Sequence, residues 1–476
     1  MPKKSRRRAP PIKKIIFGIL LLVLLTAAAI AWTLESMALP PRQFGPYVEA
    51  RLAGNGFTQA AAWIARTVSH LDRGEPLAAL PALRIGAQPS APPFTPAGIL
   101  VTVHSVEAAI RAIEKAGPGQ VITFAPGTYH FDGRPYLATS SASGVTVRAE
   151  VPGTVFLEFA VREGFLVASP NWTFENLHIR GACKSHAECE NAFHVIGGGR
   201  HFVARNNTIT DFNMPIKASG TAPAYPDNGL VEYNTISNTG ARDTTGAVGA
   251  VDVVAASNWS IRSNLVTDFA KARGDRASIG LQARGGGKAN RLERNVVVCE
   301  NRLRTSPGKR IGLALGGAGS LAAECRGKRC APEQDGGVID SNLVASCSDE
   351  AVYLNRAANT VVTHNTVLDT AGIAAQWSDS GANIHGNIVD GRIVARDGAS
   401  LREDENLDTG VTRLFTGAHP LRELFASSAG LDLRWRGGAP RRDAGSTMGA
   451  DLCGVPRPAE PAYGAFEDFS ACLRAR

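Results

Sequence analysis

Apolar residues follow three patterns along the chain, and each pattern predicts a different kind of element. The first is an uncharged run, Ile15–Leu34, that comes directly after a basic tail at residues 1–14. Twenty helical residues span roughly 30 Å, which is the hydrocarbon thickness of a bilayer. Because basic residues precede the run, we predict a transmembrane anchor with the tail in the cytoplasm and everything after Glu35 outside.

A cleaved signal peptide is the alternative interpretation of this run. Two triplets, Ala29-Ile30-Ala31 and Ser36-Met37-Ala38, have the small-x-small form of a cleavage site. The run is long for the apolar part of a signal peptide, however. The sequence therefore favours a single-pass protein held in a bacterial inner membrane by its N-terminal helix, with the rest in the periplasm, over a secreted one.

The second pattern is helical periodicity, and it occurs in two places. Residues 35–97 are expected to form a stalk, with a helical stretch over Phe44–Asp72 that Gly54-Asn55-Gly56 interrupts, and a Pro-rich end at 91–93. A short helix is predicted over Ser105–Ala116, where apolar residues recur at 106, 109, 110 and 113. Ser105 is its expected N-cap, and Gly117 ends it.

The third pattern is a series of short runs with alternating apolar residues, each followed by the signature Asn-x-[Ile/Val]. The asparagines of this signature are Asn207, Asn234, Asn264, Asn295, Asn342, Asn365 and Asn387. The shortest spacings, 22 and 23 residues, fit one coil of a β-solenoid, and the longer ones fit a coil with an inserted loop. We predict stacked coils in which each amide bonds the next asparagine and tolerates a left-handed bend.

Alternation also predicts which side chains leave the core, because neighbours of inward-pointing apolar residues point outward. In Val251-Asp252-Val253, for example, Asp252 points outward. The same rule applied to the other coils defines a polar set that we call the ridge: His194, Lys217, Asp252, Gln282, Arg284, Tyr353, Asn355 and Gln376. Gly312 and Ala314 leave a floor of small residues. A binding groove and an ordinary solvated sheet face are both compatible with this pattern.

Composition narrows the classes of function. The chain has 476 residues, is 44% hydrophobic and carries a formal charge of +8, so it is expected to fold. Its 50 glycines and 27 prolines suit a turn-rich fold and not a helical bundle. The excess of basic over acidic residues is compatible with a negatively charged partner. Nucleic acid is not expected as a partner in this compartment, and no Gly-rich phosphate loop leads from a strand into a helix.

Eight cysteines outside the cytoplasm predict disulfides. The expected pairs are close in sequence or lie on neighbouring coils: Cys183 with Cys189, Cys325 with Cys330, Cys453 with Cys472, and Cys299 with Cys347. A zinc site at Cys183–Cys189, with His186 between them, is the alternative for the first pair. It would need a fourth ligand that the sequence does not supply.

Three segments resemble the entry to right-handed parallel β-helices: 116–129 (AGPGQVITFAPGTY), 144–153 (GVTVRAEVPG) and 174–180 (FENLHIR). Within this pectate-lyase-like superfamily, the chain is most similar to the chondroitinase-B/alginate-lyase family of polysaccharide lyases. The tail, with DLCGVPRP at 451–458 and GAFE at 464–467, resembles the end of secreted bacterial β-helix proteins. The expected fold is all-β, a right-handed parallel β-helix over 98–410 with a capping helix, followed by an irregular C-terminal cap over 411–476.

The resemblance implies an acidic polysaccharide as the partner, and β-elimination or epimerisation as the reaction. Elimination needs a base for the C5 proton and a positive charge beside the developing anion. Lys217 and Tyr353 are the candidate bases, with His194 a further one, and Arg284 is the candidate cation. We expect Asp252 either to bind a calcium ion or to orient Lys217. The residues expected to bind the sugar are His194, Gln282, Asn355 and Gln376.

One departure from the family pattern leaves a second function open. The family places a lysine base and an arginine on consecutive coils after an acidic, metal-binding coil, whereas the strand Ile311–Gly316 contains neither Lys nor Arg. The alternative is therefore a non-catalytic polysaccharide-binding or scaffold protein of a cell-envelope or exopolysaccharide system. A glycosidase is disfavoured, because hydrolysis needs paired carboxylates and Asp252 is the one acid of the ridge.

Overall fold

The computed structural model describes residues 12–52, 63, 67–77, 79–88, 98–304, 308–317, 320–443 and 449–473. The chain forms two units, one comprising 1–72 with 410–418 and the other 73–409 with 419–476. Several predicted features lie outside the described residues: most of the basic tail, the interruption at Gly54–Gly56 and the Pro-rich end of the stalk.

The first unit is helical in its described part. Helix α1 covers Ile12–Met37 and extends the predicted span Ile15–Leu34 at both ends, and α2 covers Pro41–Leu52. A short helix, Val411–Phe415, also belongs here. The stretch Ile16–Met37 is the one described helix long and apolar enough to cross a membrane, and its apolar side chains are exposed. A signal sequence would have the same length and composition, so both interpretations stay open.

The second unit is a parallel β-helix, as predicted, and three long parallel sheets make up its described coils. Sheet 1 contains β1 Ile99–Val103, β2 Gln120–Phe124, β5 Thr146–Ala149, β8 Thr173–Glu175, β11 Val203–Arg205, β14 Leu230–Glu232, β17 Ser260–Arg262, β21 Arg291–Glu293, β25 Val338–Asp340, β29 Thr360–Thr363, β32 Gly381–His385 and β35 Ser400–Asp404. Sheet 2 contains β3 Gly127–Phe131, β6 Val155–Phe159, β9 His178–Gly181, β12 Thr208–Thr210, β15 Thr235–Ser237, β18 Leu265–Thr267, β22 Val296–Val298, β26 Leu343–Ala345, β30 Thr366–Leu368, β33 Ile388–Val389 and β36 Leu407–Asp408.

Sheet 3 closes each coil and carries the ridge. It contains β4 Leu137–Ala138, β7 Glu163–Val167, β10 Asn191–Ile196, β13 Ile216–Ser219, β16 Gly249–Val254, β19 Ala277–Arg284, β23 Lys309–Gly316, β27 Val352–Asn355, β31 Gly372–Gln376 and β34 Arg392–Arg396. A small sheet lies at the corner between sheets 3 and 1: β20 Gly287–Lys288, β24 Gln334–Asp335 and β28 Ala357–Ala358. A hairpin, β37 Phe425–Ser427 with β38 Asp432–Trp435, follows the last coil.

The predicted capping helix is present over Val106–Glu114 and packs on the first coil. Ser105 caps it, because its side chain accepts a hydrogen bond from the Ala108 backbone N–H at 3.2 Å. Ala109 and Ile113 are fully buried and join the core of the β-helix. The apolar face of this helix thereby closes one end of a core that would otherwise be open to water.

The predicted asparagine ladder is confirmed along its whole length. In each rung, the backbone N–H and the side-chain amide both donate to the Oδ1 of the asparagine one coil later, as Asn264 does to Asn295 at 3.0 Å. Asn406, which the signature did not include, adds a last rung to Asn387. The ladder asparagines do not occupy the left-handed bend, which is a correction. That conformation falls on the preceding residue: Asn206, Tyr233, Ser263, Arg294, Ser341, His364, Gly386 and Glu405.

All four predicted disulfides form: Cys183–Cys189, Cys325–Cys330, Cys453–Cys472 and Cys299–Cys347. Cys299 follows β22 and Cys347 follows β26, so this bridge joins neighbouring coils. Because Cys183 and Cys189 bond to each other, the zinc interpretation of this pair is wrong.

The outer face of sheet 2 is apolar and covered by chain from both ends of the unit. Outward residues such as Val296 and Leu343 pack against Phe425 and Phe466 of the C-terminal segment, and against Leu83 from the segment predicted as stalk. Residues 73–88 therefore belong to the β-helix unit, and the C-terminal segment lies along its side. The sequence of β22 indicates that both faces of the strand are covered, because all three of its residues are valine.

A buried histidine at a left-handed position gives the fold a testable dependence on pH. His364 is fully buried, and burial and then Arg457 lower its pKa from 6.5 to about 2. The unfolded chain binds a proton at His364 below pH 6.5 and the folded chain does not. This residue therefore lowers the free energy of unfolding by about 1.4 kcal/mol for each pH unit below 6.5.

We expect His364→Asn, which suits the left-handed backbone, to remove this slope. Denaturant unfolding of wild type and variant between pH 7 and 5 measures the difference. His104→Asn, at an exposed histidine, is the control. Parallel pH profiles for wild type and His364→Asn would contradict the assignment.

Candidate functional site

The strand register of sheet 3 arranges the ridge in two adjacent rows. In the first row His194 pairs with Lys217, Lys217 with Asp252, and Asp252 with Gln282. The row continues through Ala314 to Tyr353. The second row contains Arg284, Asn355 and Gln376, with Asn355 paired to Gln376. All eight ridge residues therefore lie on one face, with neighbouring strands about 4.8 Å apart.

Five of the eight ridge residues line one cleft of about 380 Å³: Asp252, Gln282, Arg284, Tyr353 and Asn355. Gly316 and Gly317 also line it. Gly316 has a φ of +79°, and a Cβ there would collide with the backbone oxygen of Asn355, so this position requires glycine. His194, Lys217 and Gln376 lie on the same face but do not line the cleft.

Arg284 and Asp252 form a bidentate ion pair in the cleft. Nε of Arg284 donates to Oδ1 of Asp252 and Nη2 donates to Oδ2, each at 3.0 Å. The Asp252 side chain is 2% exposed and that of Arg284 is 20% exposed. Burial alone would lower the pKa of Arg284, but the carboxylate of Asp252 reverses this effect and raises it. The guanidinium also donates to Ser320 Oγ at 3.1 Å, so it is fixed in place.

This geometry does not suit calcium at Asp252. Both carboxylate oxygens already accept from Arg284, whereas calcium takes six to eight oxygen ligands. Among the described residues, no group of three or more His, Cys, Asp or Glu side chains could hold a metal ion.

Tyr353 is better suited to donate a proton than to accept one. Burial, followed by the nearby charges of Glu350 and Asp349, raises its pKa to about 12. Its hydroxyl donates to Oε1 of Gln376 and accepts from Nδ2 of Asn355 at 3.3 Å. Oδ1 of Asn355 is buried and has no hydrogen-bond partner in the described part of the chain. A ligand hydroxyl that reached this oxygen would satisfy it.

The other end of the ridge is held by a histidine and a glutamate. His194 Nδ1 lies 3.0 Å from Oε1 of Glu163, and Nε2 lies 3.1 Å from Oγ of Ser219. The hydrogen bond from His194 lowers the pKa of Glu163, and the positive charge of Lys217 acts in the same direction. His194 is thereby fixed by a partner on each side. Lys217 has no hydrogen-bond or ion-pair partner among the described residues.

The alternation rule did not predict two ionisable residues of the cleft, because they lie on a loop. Lys271 and Asp275 follow β18 and line the same cleft. Nζ of Lys271 donates to Oδ1 of Asp275 at 2.7 Å. Side-chain alternation predicts orientation on strands only, so sequence reasoning had no means of placing a loop lysine here.

A second loop, which contains Ser320, contacts the guanidinium of Arg284. Ser320, which accepts from Arg284, donates to Oε2 of Glu333 at 2.8 Å. The Cys325–Cys330 disulfide closes the segment between them. Nη2 of Arg326 bonds both oxygens of Asp227, at 2.7 and 2.6 Å, which attaches the loop to an earlier coil.

No protein-family model and no curated protein matches the sequence. Among solved structures, the chain is similar to pectate lyase Pel9A, with 14% identity, 81% of this chain and 98% of that chain covered, and a TM-score of 0.45. It is similar to a rhamnogalacturonan lyase, with 11% identity, 62% and 80% covered, and a TM-score of 0.42. A tailspike protein mutant of E. coli bacteriophage HK620 in complex with a pentasaccharide shares 12% identity, with 69% and 65% covered and a TM-score of 0.45. Identities this low assign no activity to this chain.

Proposed function

We propose that the protein binds an acidic polysaccharide along the ridge and cleaves it by β-elimination. The observation that supports this proposal best is the composition of the cleft. It contains a fixed guanidinium, Arg284, a tyrosine that stays protonated, Tyr353, and two glycines, Gly316 and Gly317, whereas Gly312 and Ala314 of the predicted floor do not line it. Elimination needs such a positive charge beside the carboxylate of the sugar, and a protonated tyrosine can donate a hydrogen bond to the bound chain.

The reaction can be written with Arg284 and a base. A base removes the C5 proton of a uronate, the electron pair forms the C4–C5 double bond, and the C4–oxygen bond breaks. Arg284 stabilises the negative charge that develops on the carboxylate, and the base returns its proton to the leaving oxygen. We assign the base to Lys217, one strand before Asp252 on the same face. Tyr353 lies four strands from Lys217, about 19 Å along the row, so we assign it to binding a neighbouring sugar unit. Return of a proton to the opposite face of C5 would give epimerisation.

The test is an assay of the full-length protein in detergent with alginate, chondroitin and pectate. We expect ultraviolet absorbance to rise as the C4–C5 double bond forms, and NMR detects epimerisation. Lys217→Ala should abolish product formation with an unchanged melting temperature, because its side chain has no partner to lose. Lys288→Ala, at an exposed lysine of the small sheet, is the matched control. Absence of product from every polymer, or equal activity in Lys217→Ala, would contradict the proposal.

A non-catalytic polysaccharide-binding or scaffold protein is the second candidate. Two observations favour it. Asp252 already neutralises Arg284. Strand β23 begins earlier than predicted and contains Lys309 and Arg310, but of this strand only Gly316 lines the cleft. This function would give glycan affinity without any product. Titration calorimetry beside the absorbance assay separates the two candidates, because a polymer that binds and stays intact supports binding alone.

We further propose that α1 anchors the protein in a bacterial inner membrane, with the β-helix in the periplasm. Four disulfides suit an oxidising compartment. The exposed apolar surface of the helix suits lipid. Secretion after cleavage of the same segment is the alternative location.

A further inference from the structure

The loop between β18 and β19 places a buried ammonium group in the cleft. The side chain of Lys271 is 6% exposed and its residue lines the cleft beside Asp252 and Arg284. Its ammonium makes one hydrogen bond within the described part of the chain, to Oδ1 of Asp275. An ammonium has three donors, and a charge buried with most of them unused is costly. The ammonium of Lys271 can therefore donate hydrogen bonds to a further acceptor.

The partner of Lys271 has the properties of an exchangeable group. Asp275 is 68% exposed and lies only four residues further along the same loop. Its Oδ1 also accepts from the backbone N–H of Ala277 at 3.1 Å, which keeps the carboxylate at the mouth of the cleft. An ion pair with one exposed partner is worth little, because water competes for the exposed group.

The other ion pair of the cleft differs in each of these respects. Arg284 and Asp252 are bonded through two hydrogen bonds, and Asp252 is almost completely buried. Breaking that pair would leave a carboxylate without water or partner, whereas releasing Asp275 returns it to solvent. Of the two acids that line the cleft, Asp275 is thus the one that a ligand can replace.

We infer that Lys271 is the residue that recognises a carboxylate of the ligand, and that Asp275 occupies the position of this carboxylate in the unliganded protein. This inference rests on the proposed function and deepens it. It predicts selection for uronate-containing chains over neutral ones, because only a ligand carboxylate can replace Asp275 and keep the ammonium neutralised.

Calorimetric titration of the full-length protein in detergent tests this exchange. The probes are oligogalacturonate, oligomannuronate and chondroitin oligosaccharides, each beside its methyl ester, which has the same chain without the carboxylate charge. We expect the wild type to prefer an acidic probe over its ester. Asp275→Asn should bind that acidic probe roughly tenfold more tightly, since the competing charge is removed, and should bind the ester as before.

Two further variants make the result specific to this pair. Lys271→Gln should lower affinity for the acidic probe by roughly tenfold and leave the ester unaffected. Asp243→Asn removes another exposed acid, one that pairs with Arg273 on the same loop but does not line the cleft. It should change neither affinity, which excludes a general effect of charge. Melting temperatures of all variants show whether they are folded.

The outcomes separate this inference from the proposed function. If the wild type binds an acidic probe and Asp275→Asn binds it no more tightly, the exchange is overturned and the proposed function stands. If an ester binds as tightly as its acid, selection by Lys271 is overturned. If no probe binds to the wild type or to Asp275→Asn, the assignment of an acidic polysaccharide fails as well.

Discussion

Replacing Asn295 with alanine is expected to lower the free energy of unfolding of the β-helix by about 3–5 kcal/mol. The residue is fully buried in the middle of the ladder. Its amide donates to the Ile261 carbonyl at 2.8 Å and to Oδ1 of Asn342 at 3.0 Å. Its own Oδ1 accepts from the backbone and the side chain of Asn264. Alanine keeps the backbone N–H that donates to Oδ1 of Asn342, but it removes the acceptor of the Asn264 backbone N–H and the amide that donates to the Ile261 carbonyl, at positions that water cannot reach.

Denaturant unfolding of the full-length protein measures this effect, and the chain supplies a matched control. Asn406 makes the same contacts with Asn387 and Ile384, but it is half-buried and forms the last described rung. Asn406→Ala should therefore cost about 1–2 kcal/mol, because solvent can replace part of what is lost. Equal losses at the two positions would show that burial within the ladder does not set its contribution.

The ladder and the coils could be predicted because they repeat. One apolar run followed by Asn-x-[Ile/Val] is weak evidence, but seven in series require a structure that stacks. The same argument did not locate the left-handed residue. Ladder positions are all asparagine, whereas the residue before them varies, as Tyr233 and Arg294 illustrate. Because the residue type at that position varies, the sequence did not indicate its left-handed conformation.

The ridge could be predicted as a face, but its contacts could not. Alternation determines direction, and the register did bring Lys217, Asp252 and Gln282 into one row. Alternation does not predict where the end of a long side chain lies. It therefore did not predict the ion pair between Arg284 and Asp252. Burial of the Tyr353 hydroxyl, which raises its pKa and keeps it protonated, depends on neighbouring coils. Such effects arise from tertiary packing and leave no local signal.

Arg284→Ala is expected to reduce product formation by about 100-fold or more, if the protein is a lyase. The variant removes the positive charge beside the substrate carboxylate. It also leaves Asp252 buried without its partner, which should cost about 3–5 kcal/mol of stability. Loss of activity in this variant alone would thus have two explanations, a missing catalytic charge or a disturbed fold.

The double variant Asp252→Ala/Arg284→Ala separates these explanations. Removing both charges eliminates the unpaired carboxylate, so much of the lost stability should return, while product formation should remain absent. Unfolding and absorbance assays on wild type, both single variants and the double variant measure the two effects independently. A double variant that is stable and fully active would show that neither Arg284 nor Asp252 takes part in the reaction, and the charge for elimination would then have to come from Lys271.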